Sequence, residues 1–431
     1  MRSQLVRWDR ASYGIQQLAH SRPPALFAAT TTATSGTVSS SNITSNNLMP
    51  AADQAHVVDR MVTELVQLDK PLAYVLGTQP FHPLPVELLV RPPTLIPRPE
   101  TEHWLNQLIH RLVVGGGGSP PLRILDIGTG SGCIALGLTY ALRNRKEDGG
   151  PTVQTVAVDQ STEALALAQE NAHRCGLIGT PAGSTAPSRH DESSKSKAAA
   201  AAAPISFVLE NLFSPTFTSW VLSALRGASS PSSAPRFDLV VSNPPYIPLH
   251  EYETLDASVR EWEDRKALVG EMPPSVVEPA ERRSIKQSKN EDEQDDGLVF
   301  YRRIISLLDT LLEPPPPPPL SLRSDSLSSN SDSTQKDSAQ EQGPPPSPCV
   351  AFEVGKGQAR AVERLLRAWR PSPRRHHDHS FSPDLDSQTH QQQWRLETEV
   401  LVDPWGVERA VFAHWARWKE EEEAPSSSSS S

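Results

Sequence analysis

Short apolar runs that break on glycine, proline or a polar residue alternate along this chain with longer stretches whose apolar positions recur every three or four residues. The runs over 123–127, 153–158, 205–209, 237–242 and 349–354 predict strands, and the stretches over 133–142, 162–175, 297–312 and 358–369 predict helices. Two late strands, 394–402 and 409–414, complete the pattern. Strand and helix in this cadence predict an α/β fold with a mostly parallel sheet and helices on both faces. Ahead of it, residues 51–68 predict one amphipathic helix and residues 71–97 turns and short extended pieces, so a small N-terminal helical/extended cap is expected.

The regular pattern occupies only part of the 431 residues. The chain holds forty-one prolines, and low-complexity segments interrupt the pattern: 115–118, 181–204, 227–235, 271–296, 313–348 with six consecutive prolines, and 371–393. Each is expected to be a surface insertion or linker. The chain thus divides into a leader (1–50), a small N-terminal region (51–97), one α/β domain carrying the insertions (98–418) and a disordered tail (419–431).

A net charge of -10 argues against a protein that holds long nucleic acid mainly by neutralising phosphates, so no stable nucleic-acid binding is expected. No apolar run approaches the ~20 residues that span a bilayer, and no membrane partner is expected. Cys133, Cys175 and Cys349 lie far apart without metal spacing and suggest neither a disulfide framework nor a zinc site. His376-His377-Asp378-His379 lies in an insertion with no scaffold to fix ligand geometry, so no metal is assigned. In the leader, Arg2, Arg7, Arg10 and Arg22 stand against the single acid Asp9, ahead of a Ser/Thr/Asn-rich stretch. That is the composition of a mitochondrial transit peptide; the alternative is a leader without an address, on a cytoplasmic protein.

Two stretches carry chemistry. Asp126-Ile127-Gly128-Thr129-Gly130-Ser131-Gly132 follows the first predicted strand and opens the first helix, where an α/β sheet binds ligands. Glycines let backbone approach a ligand closely. The Gly-x-Gly-x-Gly spacing and the acid Asp126 favour S-adenosyl-L-methionine over a dinucleotide, since an anion there repels a pyrophosphate and suits an ammonium or sulfonium. Asp159, at the end of the second strand, can accept both ribose hydroxyls; a helix N-cap role is compatible with that. After the third strand, Asn211 could bond the adenine and Leu212 or Phe213 could pack on its face.

The second stretch is Asn243-Pro244-Pro245-Tyr246, directly after the apolar run at 237–242. Prolines fix the backbone and remove N–H donors, which leaves the nearby carbonyls as rigid acceptors. A planar NH2, whose lone pair is delocalised, is a poor nucleophile and must be held. The Asn243 side-chain oxygen and the Pro244 carbonyl can each accept one of its hydrogens, with Tyr246 packed on the planar group. These residues alone leave an amide and an adenine amino group equally open as substrates.

With these motifs in hand, the chain resembles the HemK/PrmC family of release-factor glutamine methyltransferases. The resemblance runs through Pro71-Leu72-Ala73-Tyr74-Val75-Leu76-Gly77, Leu95-Ile96-Pro97-Arg98-Pro99-Glu100-Thr101-Glu102, Asn243-Pro244-Pro245-Tyr246 and Val259-Arg260-Glu261-Trp262-Glu263 with Ala267-Leu268. It continues through Asp296-Gly297-Leu298-Val299-Phe300-Tyr301-Arg302-Arg303-Ile304, Phe352-Glu353-Val354-Gly355-Lys356-Gly357-Gln358 and Asp403-Pro404-Trp405-Gly406-Val407-Glu408-Arg409.

The resemblance implies a Rossmann-like class I SAM-dependent methyltransferase domain at 98–418 and a substrate-docking role for 51–97. It implies methyl transfer to the side-chain amide N5 of the glutamine in the Gly-Gly-Gln motif of a peptide chain release factor, supporting translation termination. By the same resemblance Gly128, Thr129, Gly130, Ser131, Gly132, Asp159, Asn211, Leu212 and Asn243 would contact the cofactor. Asn243, Pro244, Pro245 and Tyr246 would hold the glutamine, with Asn243, Pro244 and Tyr246 catalytic. Arg98 and Glu100 would organise the pocket edge or form a structural ion pair. The family usually has Asp where Asn211 stands. The alternative enzyme is an adenine-N6 DNA/RNA methyltransferase, which shares Asn-Pro-Pro-Tyr; a non-catalytic scaffold would be expected to lose the glycine turn or Asn243.

Overall fold

The computed structural model describes residues 51–114, 122–143, 153–179, 204–225, 235–272, 296–315, 346–372 and 394–417. The leader, the cores of the insertions, His376–His379 of the polar cluster and the tail lie outside them. In chain order the elements are α1 (Ala51–Gln67), α2 (Leu72–Leu76), β1 (Thr78–Gln79), β2 (Leu88–Leu89), α3 (Pro99–Val114), β3 (Leu122–Ile127), α4 (Cys133–Arg143), β4 (Val153–Asp159), α5 (Thr162–Arg174) and β5 (Ile205–Leu209). They continue with α6 (Phe217–Ser223), β6 (Leu239–Ser242), α7 (Leu249–Tyr252), α8 (Ala257–Arg260), α9 (Arg265–Leu268), α10 (Val299–Leu311), β7 (Val350–Glu353), α11 (Ala359–Ala368), β8 (Trp394–Val402) and β9 (Glu408–Arg417).

Seven strands form one sheet in the order β5-β4-β3-β6-β7-β9-β8. β3 to β7 run parallel, and the β8–β9 hairpin adds on through β9, antiparallel to β7. The period-two alternation of a strand buried on both faces splits the core into two layers. On β6, Leu239 and Val241 face the layer shared with α3 and α4, while Val240 faces the layer shared with α6, α10 and α11. On α10, Phe300, Tyr301, Ile304, Ile305, Leu308 and Leu311 recur at helical spacing and are all buried. Arg123 on β3 grips Asp238, just before β6, through two guanidinium nitrogens and its own backbone N–H at 2.8–3.0 Å, which fixes where the two central strands start.

Helix α3 occupies residues to which the periodicity assigns no element. Its signals are nevertheless present: a proline in the first turn, Glu100 and Glu102 at the positive end, and Trp104, Leu105, Leu108 and Leu112 on one face. The Pro-rich stretch before it masks the start. Residues 71–97 form a short helix and a two-residue hairpin rather than a free cap. Phe81 and Leu88 sit in the same core layer as α3 and α4, and Asn171 of α5 bonds both the N–H and the carbonyl of Leu89 at 2.7 and 3.1 Å.

Candidate active site

The order of the sheet reverses between β3 and β6, and a cleft opens above the carboxyl ends of β3, β4 and β6, with a volume of about 1450 Å³ including its open mouth. The glycine turn forms its floor. Gly128, Gly130 and Gly132 hold φ of 75°, 55° and 87°, a region costly for any residue with a Cβ. Gly132 is also crowded, since a Cβ there would sit 3.0 Å from Leu136 and 3.1 Å from Ala168. The N–H groups of Gly128 and Thr129 both donate to the Val158 carbonyl, at 2.9 and 3.0 Å, so the turn is stitched to β4.

Asp126 does not face the cleft. It is fully buried beneath the turn, where Oδ2 accepts from Thr129 Oγ1 at 2.7 Å and from the Ala135 N–H at 3.2 Å in the first turn of α4. The expected direct charge complement to a ligand is therefore replaced by a structural brace. Its Oδ1 is sealed from solvent without a partner among the described residues, and burial pushes the carboxyl up to about 7, with nearby Asp159 adding to the effect.

Asp159 takes the outward position. Oδ2 accepts the Gly130 N–H and Oδ1 the Ser161 N–H, each at 2.9 Å, and burial raises its pKa despite these bonds. The N-cap of α5 is Ser161, whose hydroxyl accepts from Ala164 at 3.1 Å, so Asp159 is left on the cleft wall. Asn211 and Leu212 stand beside it on that wall. The Asn211 Oδ1 accepts the Phe213 N–H at 2.8 Å and its Nδ2 donates to Gln160 at 3.2 Å, which closes a local turn. Leu212 is buried, with Arg303 Nε donating to its carbonyl at 3.1 Å.

Across the cleft, Ser242 Oγ donates to the Ile127 carbonyl at 2.7 Å and locks the end of β6 to the end of β3. Asn243, Pro244 and Pro245 then line the wall. The Asn243 side chain has no hydrogen-bond partner among the described residues and is not sealed from solvent. The turn behind it is pinned on every side. Tyr246 donates its N–H to Leu268 at 3.2 Å and accepts at its carbonyl from Gln358 Nε2 at 2.9 Å. The same Gln358 amide also holds the Asp296 carbonyl and the Gly355 N–H, at 2.9 and 3.0 Å. Gly297 is required there, because a Cβ would lie 2.1 Å from the Tyr246 carbonyl oxygen.

Tyr246 itself does not line the cleft. Its ring lies beside Gly355, and burial, then the Glu353 carboxylate, raises the pKa of its hydroxyl. The expected role as a packing surface for a planar group is thus not set up; the tyrosine backs the turn. Glu353 is likewise buried, accepting from Thr101 at 2.6 Å and Trp104 at 2.8 Å.

The mouth adds residues beyond the two turns. Segment 94–98 lines one side, and Asp264, Lys266 and Ala267 face the opening from around α9; Phe300 reaches the wall from α10. The Asp264 N–H donates to Pro93 at 2.7 Å and ties the two mouth segments together. Arg98 pairs through Nη2 with both oxygens of buried Glu263, at 2.6 and 2.8 Å, and not with Glu100, which faces Arg409 at 3.8 Å. Residues 95–98, Ala267 and Phe300 fall in stretches that carry the family resemblance, whereas Asp264 and Lys266 had no sequence signal and depend on loops that meet through space.

These residues fit S-adenosylmethionine: a carboxylate at the strand end beside a glycine turn, an apolar wall of Leu212 and Phe300, and acids at Asp159, Glu163, Glu210 and Asp264 for a cationic ligand.

Numbered from β3, the sheet runs 3-2-1-4-5-7-6 with the seventh strand antiparallel, and the glycine turn follows the first strand. This is the class I SAM-dependent methyltransferase fold. Within that class, the chain is similar to bacterial proteins named release factor glutamine methyltransferase. It is 35% identical over 201 residues to that of Geobacter sulfurreducens, covering 47% of this chain and 50% of the relative. It is 36% identical over 200 residues to that of Nitratidesulfovibrio vulgaris, covering 46% and 50%. With that of Bacillus cereus it is 26% identical over 343 residues, covering 80% and 76%. The chain spans about half the length of the first two. No protein-family model matches it. A solved SAM-dependent methyltransferase from Agrobacterium tumefaciens aligns over 80% of this chain and 70% of its own, at 13% identity and a TM-score of 0.34; the strand order, not this likeness, assigns the fold.

Proposed function

We propose that this protein methylates the side-chain amide nitrogen (N5) of the glutamine in the Gly-Gly-Gln motif of a peptide chain release factor, using S-adenosyl-L-methionine. The observation that carries the reading is the Asn243 amide on the cleft wall with Asp159, without a hydrogen-bond partner among the described residues, in a turn held at Tyr246 by Leu268 and Gln358. Relatives named for this activity supply the choice of a glutamine over an adenine.

The cofactor, when bound, supplies an electrophilic methyl group on a sulfonium. Asp159 would hold its ribose hydroxyls, Asn211 and Leu212 its adenine, and the turn from Gly128 to Gly132 its amino-acid end. The Asn243 Oδ1 and the Pro244 carbonyl accept the two hydrogens of the substrate amide. Those bonds aim the nitrogen and stabilise the positive charge that develops as it leaves planarity. Gln358 and Gly297 keep the turn from yielding.

Incubation of the purified protein with labelled cofactor and a release factor, followed by mass spectrometry of the Gly-Gly-Gln peptide, tests the reading. A methyl group on that glutamine is expected. Label in DNA or RNA with none in the release factor would replace it with adenine methylation. The arginine-bearing leader supports a mitochondrial site of action, and a fusion of residues 1–52 to a fluorescent reporter is expected to enter mitochondria; a purely cytosolic signal would reject that assignment.

A further inference from the structure

At the opposite edge of the sheet, near the amino ends of the parallel strands, lies a second cavity of about 690 Å³ including its mouth. Three tryptophans line it: Trp369 at the end of α11, Trp394 at the start of β8 and Trp415 near the end of β9. The strand register puts Trp394 opposite Arg417 and Trp415 opposite Leu396, so both indoles stand on one face of the hairpin. Trp369 and Trp415 lie 5.8 Å apart with planes tilted by 51°, and the Arg417 guanidinium sits 5.8 Å from the Trp394 ring. None of the three indole N–H groups has a partner among the described residues, and none is sealed from solvent. Tryptophans elsewhere behave differently, since Trp104 donates to Glu353 and Trp262 to Leu68.

The chain itself enters this cavity. The Glu313 N–H donates to Phe237 at 2.8 Å, which fixes the path just after α10, and the next two residues, Pro314 and Pro315, line the groove between the tryptophans and Arg236. The sequence continues with four more prolines, through Pro319. A proline run is pre-set in a three-residue-per-turn helix rising about 3.1 Å per residue, with carbonyls exposed and no N–H of its own. Flat aromatic walls with free N–H donors are the complementary surface.

We propose that the tryptophan groove is a polyproline-binding site whose occupant is this chain's own run at 314–319. Tethering through Pro314 and Pro315, which already line the groove, gives the rest of the run a high effective concentration there, so it outcompetes a proline-rich segment from another protein. Docking it anchors one end of the insertion at 313–348 on the face away from the methyl-transfer cleft.

The test uses the full-length protein, a fluorescently labelled decaproline peptide and anisotropy. In the parent the groove is filled and the peptide binds weakly or not at all. The variant P316S/P317S/P318S/P319S frees it, and the peptide is expected to bind at least tenfold more tightly. Adding Trp394→Ala to that variant is expected to remove the gain, with thermal melting as the check on folding and Trp394→Phe, which keeps the ring but not the donor, as the milder substitution. Equal affinity for parent and serine variant would show a groove open to outside partners and overturn the self-docking. No binding to either, or binding indifferent to both Trp394 substitutions, would overturn the site itself.

Discussion

The two turns that meet over the sheet are built on opposite plans. Around the glycine turn the polar side chains of Thr129, Asp126 and Asp159 are engaged by the protein: Thr129 by Asp126, Asp126 by the start of α4, Asp159 by Gly130 and Ser161. In the Asn243 turn the engaged part is the Tyr246 backbone, held by Leu268 and Gln358, while the side chain on the cleft wall has no partner among the described residues. The first turn is a shaped surface that presents backbone and one carboxylate. The second is a rigid mount for a single amide, and a hydrogen-bonding group kept unpaired at the edge of a fold is kept for something that arrives.

That contrast separates chemistry from binding. Asn243→Ala is expected to lower kcat by about 10²–10³-fold, the effect of losing one preorganised hydrogen-bonding group, while cofactor affinity measured by calorimetry changes far less. Unchanged methyl transfer by the folded variant would remove Asn243 from the reaction. Asp159→Ala should do the reverse, weakening cofactor binding by about 10–100-fold through loss of charge-assisted bonds, with transfer recovered at saturating cofactor. An unchanged Kd would show that the wall beside Asn211 is not the ribose subsite.

Gln358→Ala loosens the mount without touching the cleft. A fall of about tenfold in kcat at constant cofactor Kd is expected from small misplacement of the amide acceptors. An equal loss in both would mean that the clamp supports the whole sheet edge. The smallest effect is on pH dependence. Burial raises Asp126 from 3.8 to about 7 in the folded state, so its contribution to stability is fully present below pH 3.8 and is lost as pH rises toward and through 7. Denaturation midpoints across that window should fall less steeply in Asp126→Asn, whose amide oxygen can still accept from Thr129 and Ala135; identical slopes would show that burial does not raise the Asp126 carboxyl in the folded protein.

Much of this was legible before the fold was known. Period-two and helical patterns locate every strand of the large sheet within a few residues, because strands buried on both faces have to be apolar throughout. Helix α3 escaped because prolines crowd its entrance, although its apolar face is regular once the start is known. The glycine turn and Asn243 were legible because their residue types are demanded locally, by positive φ and by a strand that ends in a proline turn. Asp126 was misassigned for a physical reason: a carboxylate before a glycine turn can point up to a ligand or down to a helix start, and sequence spacing is the same for both. The place of the Tyr246 ring was not legible either, since Gly355, more than a hundred residues later, lies against it, and Gln358 holds its backbone carbonyl.

The sequence by itself determined the alternation of strand and helix, the positions of the two turns and the kind of chemistry their residues can do, all of which depend on neighbours a few positions away. Only the tertiary structure decided that Arg98 answers Glu263, that Asp264 and Lys266 close the cleft, that Tyr246 backs the turn it belongs to and that three distant tryptophans share a groove with Pro314. Those outcomes rest on contacts between segments tens to hundreds of residues apart, and side-chain packing and burial, which set them, exist only after the sheet has brought the segments together.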